Sequence, residues 1–132
     1  MIIAKRIISF ILFVFIVAGS ANAFAATVQE VKSKNGITAW LIEDHANPVI
    51  SVRFLVKGGA AVDPVGKEGL ANLVSGLLDE GAGHLDSQSF QARLEDEAIS
   101  LHFNATKDSF SGTLKTLSKN LGSATELLNL AL

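Results

Sequence analysis

The stretch that decides the fold is Gly58-Gly59-Ala60-Ala61-Val62-Asp63-Pro64-Val65-Gly66-Lys67-Glu68-Gly69-Leu70-Ala71-Asn72-Leu73-Val74-Ser75-Gly76-Leu77-Leu78. Two different periods meet in it. On its upstream side Ile50, Val52, Phe54 and Val56 alternate with Ser51, Arg53 and Lys57. A period of two predicts a half-buried strand over Val49–Lys57, starting after Pro48 and ended by Gly58-Gly59. On its downstream side Leu70, Leu73, Val74, Leu77 and Leu78 fall at i, i+3, i+4, i+7 and i+8. That spacing predicts a helix with one apolar stripe against the core, closed by the C-terminal signals Gly81 and Gly83. Asn72, Ser75, Gly76 and Asp79 form the opposite face.

Further upstream, Asn35-Gly36 separates Val28–Lys34 from Ile37–Glu43, and that dipeptide predicts a hairpin with a type I′ turn. Downstream, Asp86 is the expected N-cap of a second helix, with Leu85 and Phe90 in hydrophobic-staple positions and Phe90, Leu94 and Ala98 on its inner face. Ile99, Leu101, Phe103 and Ala105 then alternate with Ser100, His102 and Asn104. Lys107-Asp108 is expected to turn this strand into Phe110–Leu117. A last helix carries Leu117, Leu121, Ala124, Leu128 and Leu132, with no Gly, Pro or basic stop after Leu121. So apolar an end needs a surface to bury it, which predicts the front part of a larger domain. The predicted class is α+β, an antiparallel-rich sheet with helices packed on one face.

Composition divides the chain in two. Residues 1–26 contain 20 of its apolar residues and four of its eight Phe. Lys5 and Arg6 precede a twelve-residue run, Ile7–Ala18, broken only by Ser9 and followed by Gly19-Ser20-Ala21-Asn22-Ala23. This is the anatomy of a secretory signal peptide, which predicts an exported chain, periplasmic if the source is Gram-negative. The competing reading is an uncleaved anchor, for which the run falls short of the ~20 apolar residues a spanning helix needs; membrane association is expected only through this leader. Residues 27–132 carry nine Lys and Arg against 13 Asp and Glu, a balance that argues against nucleic acid as a partner. The chain has no Cys, which excludes disulfides, thiolate metal sites and lipidation at Cys.

The Asn35-Gly36 turn, the Val49–Gly59 strand, Gly69-Leu70-Ala71, Leu94-Glu95 and Asn104-Ala105-Thr106, in this order and spacing, resemble the N-terminal part of the insulinase, or pitrilysin, family. That family includes the mitochondrial processing peptidase and its bacterial relatives, and the resemblance runs from about Val28 to Leu132. It implies that residues 27–132 are the first part of a metallopeptidase-like N-terminal domain. It further implies an inverted zinc motif, H-x-x-E-H, on the helix after Gly-Leu-Ala. Two His at i and i+4 share one helical face and can share a zinc, while the Glu at i+3 activates the metal-bound water.

Carried over residue by residue, the motif positions are Asn72, Ser75 and Gly76. Asn is a poor zinc ligand, Ser is no base near neutral pH without help, and Gly has no side chain. The third ligand, a Glu on a later helix, would fall beyond Leu132. The expectation is therefore no catalytic residue, no metal and no cofactor in this chain, with zinc only in an active partner. His45, His84 and His102 are unpaired in spacing, and Asp79-Glu80 point in different directions on a helix. The face of Asn72, Ser75, Gly76 and Asp79 reads either as a vestigial active-site wall or as the ordinary polar side of an amphipathic helix. Asn104, Ala105 and Thr106 resemble the strand that pairs with an extended peptide in active relatives. They read equally as an ordinary edge, and form an Asn-x-Thr sequon that matters only in a glycosylating pathway.

The resemblance implies an exported, non-catalytic homologue that pairs with a catalytic homologous subunit to enclose and process peptide substrates. The rival readings are a stand-alone exported peptide-binding module, a zinc peptidase with atypical ligands, and a gene fragment without function.

Overall fold

The structure is a computed structural model that describes residues 27–132. The leader and its expected cleavage sites lie outside the described residues. Two compact units divide at Asp44 and His45, and each is described by itself. No helix among the described residues is long and apolar enough to cross a membrane.

The first unit contains an antiparallel hairpin, β1 (Val28–Lys32) and β2 (Thr38–Ile42), in the register Glu30↔Trp40 and Lys32↔Thr38. The hairpin is where the sequence indicated, but its turn is of another type. Ser33 N–H donates to the Ile37 carbonyl at 2.8 Å, so the loop is the three residues Lys34-Asn35-Gly36. Gly36 alone has positive φ, +84°. This is the three-residue connection with a left-handed closing residue, not the type I′ turn, which needs both Asn35 and Gly36 at φ > 0. Ser33 adds its hydroxyl, which accepts from Ile37 N–H at 3.0 Å.

The second unit is a three-stranded antiparallel sheet in the order β3-β5-β4, with helices against one face. Its strands are β3 (Val49–Lys57), β4 (Ser100–Ala105) and β5 (Ser109–Leu117). The helices are α1 (Leu70–Ser75), α2 (Ser87–Asp96) and α3 (Leu121–Ala131). The α+β class read from the two periods is the observed one. Residues of even number on β3 and β5 and of odd number on β4 turn inward. One inner row is Phe54↔Gly112↔Phe103. A Cβ on Gly112 would overlap the Phe54 ring, so the glycine is the space into which the two rings close. The core joins Leu101, Phe103 and Leu114 of the sheet to Phe90 and Leu94 of α2 and to Ala124, Leu127 and Ala131 of α3. Phe90, Leu114 and Leu127 are fully buried, each contributing about 1.5–3 kcal/mol of transfer free energy.

The helices reproduce some of the sequence reading and correct the rest. Asp86 caps α2, accepting from Ser89 N–H at 2.8 Å, and Phe90 and Leu94 are its buried residues. Ala98 is not part of that inner face. It lies beyond the helix at φ +50° and is exposed. Ile99 N–H reaches the Leu94 carbonyl at 2.8 Å and Ala98 N–H the Glu95 carbonyl at 3.1 Å. These two bonds make a Schellman ending with alanine in the place usually taken by glycine. On α3 the buried stripe is Ala124, Leu127 and Ala131. Leu121 and Leu132, expected inside, are 37% and 67% exposed, because the face turned inward is centred on Leu127 with Ala124 and Ala131 beside it. Arg93 ties α2 to α3, its Nη2 donating to Ser123 Oγ at 2.9 Å and to Glu126 at 3.3 Å. The hydrogen bond it donates to Glu126 holds the guanidinium above its ordinary pKa.

Candidate functional site

The site region begins where β3 runs out. Gly59 approaches the β4–β5 hairpin so closely that a Cβ there would overlap the Thr106 carbonyl. Three main-chain bonds seal that contact: Gly58 N–H to Asp108 O at 2.9 Å, Ala60 N–H to Thr106 O at 2.9 Å, and Ala61 N–H to Lys107 O at 2.8 Å. The chain then makes one 3₁₀ turn, Ala60–Val62, and reaches Asp63. The Asp63 carboxylate accepts from Gly69 N–H at 2.8 Å and from Ala71 N–H at 3.0 Å. A side chain outside the helix thus satisfies two donors at the start of α1, where Gly69 (φ +94°) offers no side chain of its own. Gly66 N–H in turn donates to Glu68 at 3.0 Å; main-chain hydrogen bonds at Glu68 and Gly66 hold that carboxylate below its ordinary range.

Helix α1 is shorter than the sequence predicts and presents another face. It ends at Ser75 instead of running to Leu78, because Gly76 follows and glycine weakens a helix by ~1 kcal/mol relative to alanine. Its buried residue is Ser75, 9% exposed, whereas Leu73 and Leu77 are 60% and 54% exposed. Of the expected stripe only Leu78, beyond the end of the helix, packs against the core of this unit, while Leu70, Leu73, Val74 and Leu77 are exposed. Ala71 and Ser75, four residues apart, occupy its more buried side and let the helix pack against β4.

The three positions carried over from the zinc motif meet at one atom. The Asn72 carbonyl accepts Ser75 Oγ at 2.9 Å and Gly76 N–H at 3.1 Å. The hydroxyl standing where a general base would be is turned back onto its own helix. Asn72 and Gly76 are exposed, and Asp79 is half-buried, so the four residues do not form one continuous polar wall. A carboxamide, a committed hydroxyl and a glycine do not fit a zinc ion, which asks for imidazole, thiolate or carboxylate donors. Among the described residues, no group of three or more His, Asp and Glu is placed to hold a metal ion.

The sheet edge divides the other candidate residues. β4 pairs only with β5 among the described strands, which leaves its far side open. Thr106 N–H and the Ser109 carbonyl form a bonded pair at 2.8 Å. Alternation along an antiparallel ladder then directs the main-chain groups of Ala105 and Phe103 to the open side. Asn104 is exposed and Ala105 buried. Thr106 is no part of the strand: its carbonyl is taken by Ala60, and its hydroxyl bonds Ser109 at 2.9 Å. Of the two residues that set the helix against this edge, Gly59 enters the sequence reading only as part of the strand's end and Asp63 has no role in it. Asp63-Pro64, a turn-forming pair ahead of a helix that lacks a cap, is the signal that pointed to one of them.

No protein-family model matches the chain. A curated relative, the non-peptidase homologue YmxG of Helicobacter pylori, is 29% identical over 113 residues, which are 86% of this chain and 25% of that protein. Among solved structures, the inactive domain of a Pseudomonas fluorescens M16 peptidase superposes with a TM-score of 0.70 at 23% identity, over 80% of this chain and 26% of that one. A protease of H. pylori gives 0.66 at 22% identity, over 81% and 26%. Pitrilysin gives 0.67 at 20%, over 84% and 12%. The chain spans about a quarter of the length of the curated relative. The resemblance seen in Gly69-Leu70-Ala71 and the strand before it therefore extends to three dimensions, and the described residues have the α+β fold of the insulinase-like (M16) peptidases.

Proposed function

We propose that this chain is a non-catalytic homologue of the insulinase-like zinc peptidases, exported, and that it pairs with a catalytic homologous subunit to enclose peptides. The observation that carries this reading is the Asn72–Ser75–Gly76 turn, whose only candidate nucleophile or base donates its proton to a main-chain oxygen. The likeness to a relative named a non-peptidase homologue and to an inactive M16 domain supports it. Export rests on the charged, apolar and small-residue zones of residues 1–26. The role left to the chain is to hold substrate. The outward main-chain groups of Phe103 and Ala105 offer an extended peptide a place as an added strand, beside Asn104.

The test is co-expression with a homologue that carries an intact H-x-x-E-H. The pair is expected to co-elute and to cleave unfolded peptides faster than the homologue alone, while this chain alone cleaves none. A chain that stays monomeric beside the homologue and leaves its rate unchanged overturns the pairing. Chelator-sensitive hydrolysis by the chain alone overturns the non-catalytic assignment. The open β4 edge also suits a second reading, a stand-alone peptide-binding module, which peptide binding without any partner favours.

A further inference from the structure

The outward face of the β3-β5-β4 sheet carries only one sign of charge. Residues 45–132 contain seven Lys and Arg against ten Asp and Glu, yet no carboxylate lies among the outward-facing strand residues, where Arg53, Lys57 and Lys115 all stand exposed. In register, one outer row is Arg53↔Thr113↔His102 and the next is Ser51↔Lys115↔Ser100. Arg53 and Lys115 are thus diagonal neighbours, about 7–8 Å apart at their Cα atoms. None of Arg53, Lys57, Lys115 or His102 enters an ion pair or side-chain hydrogen bond among the described residues. The carboxylates lie elsewhere, six of the ten between Asp79 and Glu97, the stretch that carries α2. Asp108, in the hairpin loop beside Lys107, stands at the margin of the face.

We infer that this outer face is a docking surface for an acidic stretch of extended polypeptide. Like charges held as diagonal neighbours without a counter-ion favour an anion placed between them. Hydroxyls of Ser51, Ser100 and Thr113 in the same rows add donors for carboxylates. A duplex or an anionic membrane is a large field that a chain with excess negative charge meets at a distance as repulsion. A short acidic segment senses only charges within a Debye length, about 8–10 Å. The face also lacks exposed aromatic side chains on which bases would stack. A second copy offering its own acidic helix stretch is the competing occupant, and self-association is therefore an outcome of the test. The inference is independent of pairing with a catalytic subunit, since it concerns the charges of the sheet face and not the turn at Asn72.

The experiment measures fluorescence anisotropy of a labelled peptide of about ten residues, alternating Glu and Ser, with the full chain. A peptide alternating Gln and Ser is the neutral control. Binding to the Glu peptide is expected, weakening as salt rises toward ~0.15 M. The variant R53Q/K57Q/K115Q is expected to bind roughly tenfold or more weakly. K32Q/K34Q/K67Q, which removes the same charge away from the sheet, is expected to stay within about twofold. Should the first variant lose its fold by circular dichroism, Lys115→Glu alone, at an exposed position, is expected to weaken binding at least about fivefold. Equal weakening by the two triple variants, equal binding of the Gln peptide, or no binding of the Glu peptide overturns the proposal. So does tighter binding to vesicles of anionic lipid than to the peptide, or self-association that R53Q/K57Q/K115Q abolishes.

Discussion

Gly59 lies directly against the carbonyl of Thr106, 47 residues further along the chain, with no room for a side chain between them. The bond from Ala60 N–H to that same carbonyl, at 2.9 Å, fixes the approach. Through this contact the end of β3, the β4–β5 hairpin and the loop leading to α1 share one geometry.

Gly59→Ala is therefore expected to destabilise the fold. The added methyl meets main-chain atoms of Thr106 and Ser109, which cannot rotate aside. Overpacking of this kind costs about 1–3 kcal/mol. Urea unfolding followed by circular dichroism checks it as a lower midpoint with an unchanged m-value.

The short helix predicts opposite effects at adjacent positions. Gly76 has helical φ −87°, and a Cβ there meets nothing closer than 3.7 Å. Gly76→Ala should stabilise by about 0.5–1 kcal/mol. Ser75 is buried, so Ser75→Glu, which restores the carboxylate of an active relative, places a charge out of water and should destabilise by ~2 kcal/mol or more. A thermal shift of the two variants in opposite directions is the expected result.

Ala98 holds a left-handed backbone at φ +50° that glycine adopts without strain. Ala98→Gly should stabilise by ~1 kcal/mol, raising Tm by roughly 4–8 °C for a domain of this size. The gain should survive high salt, since no charge is involved.

Thr116 places an unpartnered hydroxyl in the sheet interior at 2% exposure. Thr116→Val keeps the shape and removes the desolvated group, and should stabilise by about 1 kcal/mol. Denaturant titration of the variant measures the gain.

Asp86 predicts a pH dependence. Hydrogen bonds from Ser89, through its side chain and its main-chain N–H, hold the Asp86 carboxyl below its ordinary pKa in the folded state. A depressed folded value means a stabilising contribution that is present above the unfolded pKa, ~3.9, and lost as pH falls through the folded value. Asp86→Ala should therefore lower Tm at pH 7, and the gap between variant and parent should narrow near pH 3.

Much of the fold could be read from spacing alone. Ile99–Ala105 alternates cleanly because it has one wet and one dry face, and Asp86 marks a helix start because its partner lies three residues away. What escaped depends on distant contacts. The cap of α1 comes from Asp63, six and eight residues upstream of the donors it serves. The orientation of α1 is set by Ala71 and Ser75, small enough to lie against β4, and the greater hydrophobicity of Leu73 and Leu77 pointed the other way. Of the candidate site, the altered motif was legible as residue types. Its geometry was not, since the bond from Ser75 to Asn72 follows from burial of that side of the helix.

β5 is the strand enclosed between β3 and β4. Amide hydrogens near Leu114 should accordingly exchange with deuterated solvent last, after those of Val49–Lys57 at one margin and Ser100–Ala105 at the other. The sheet should thus come apart from its outside strands inward, keeping Leu114 and its neighbours to the end.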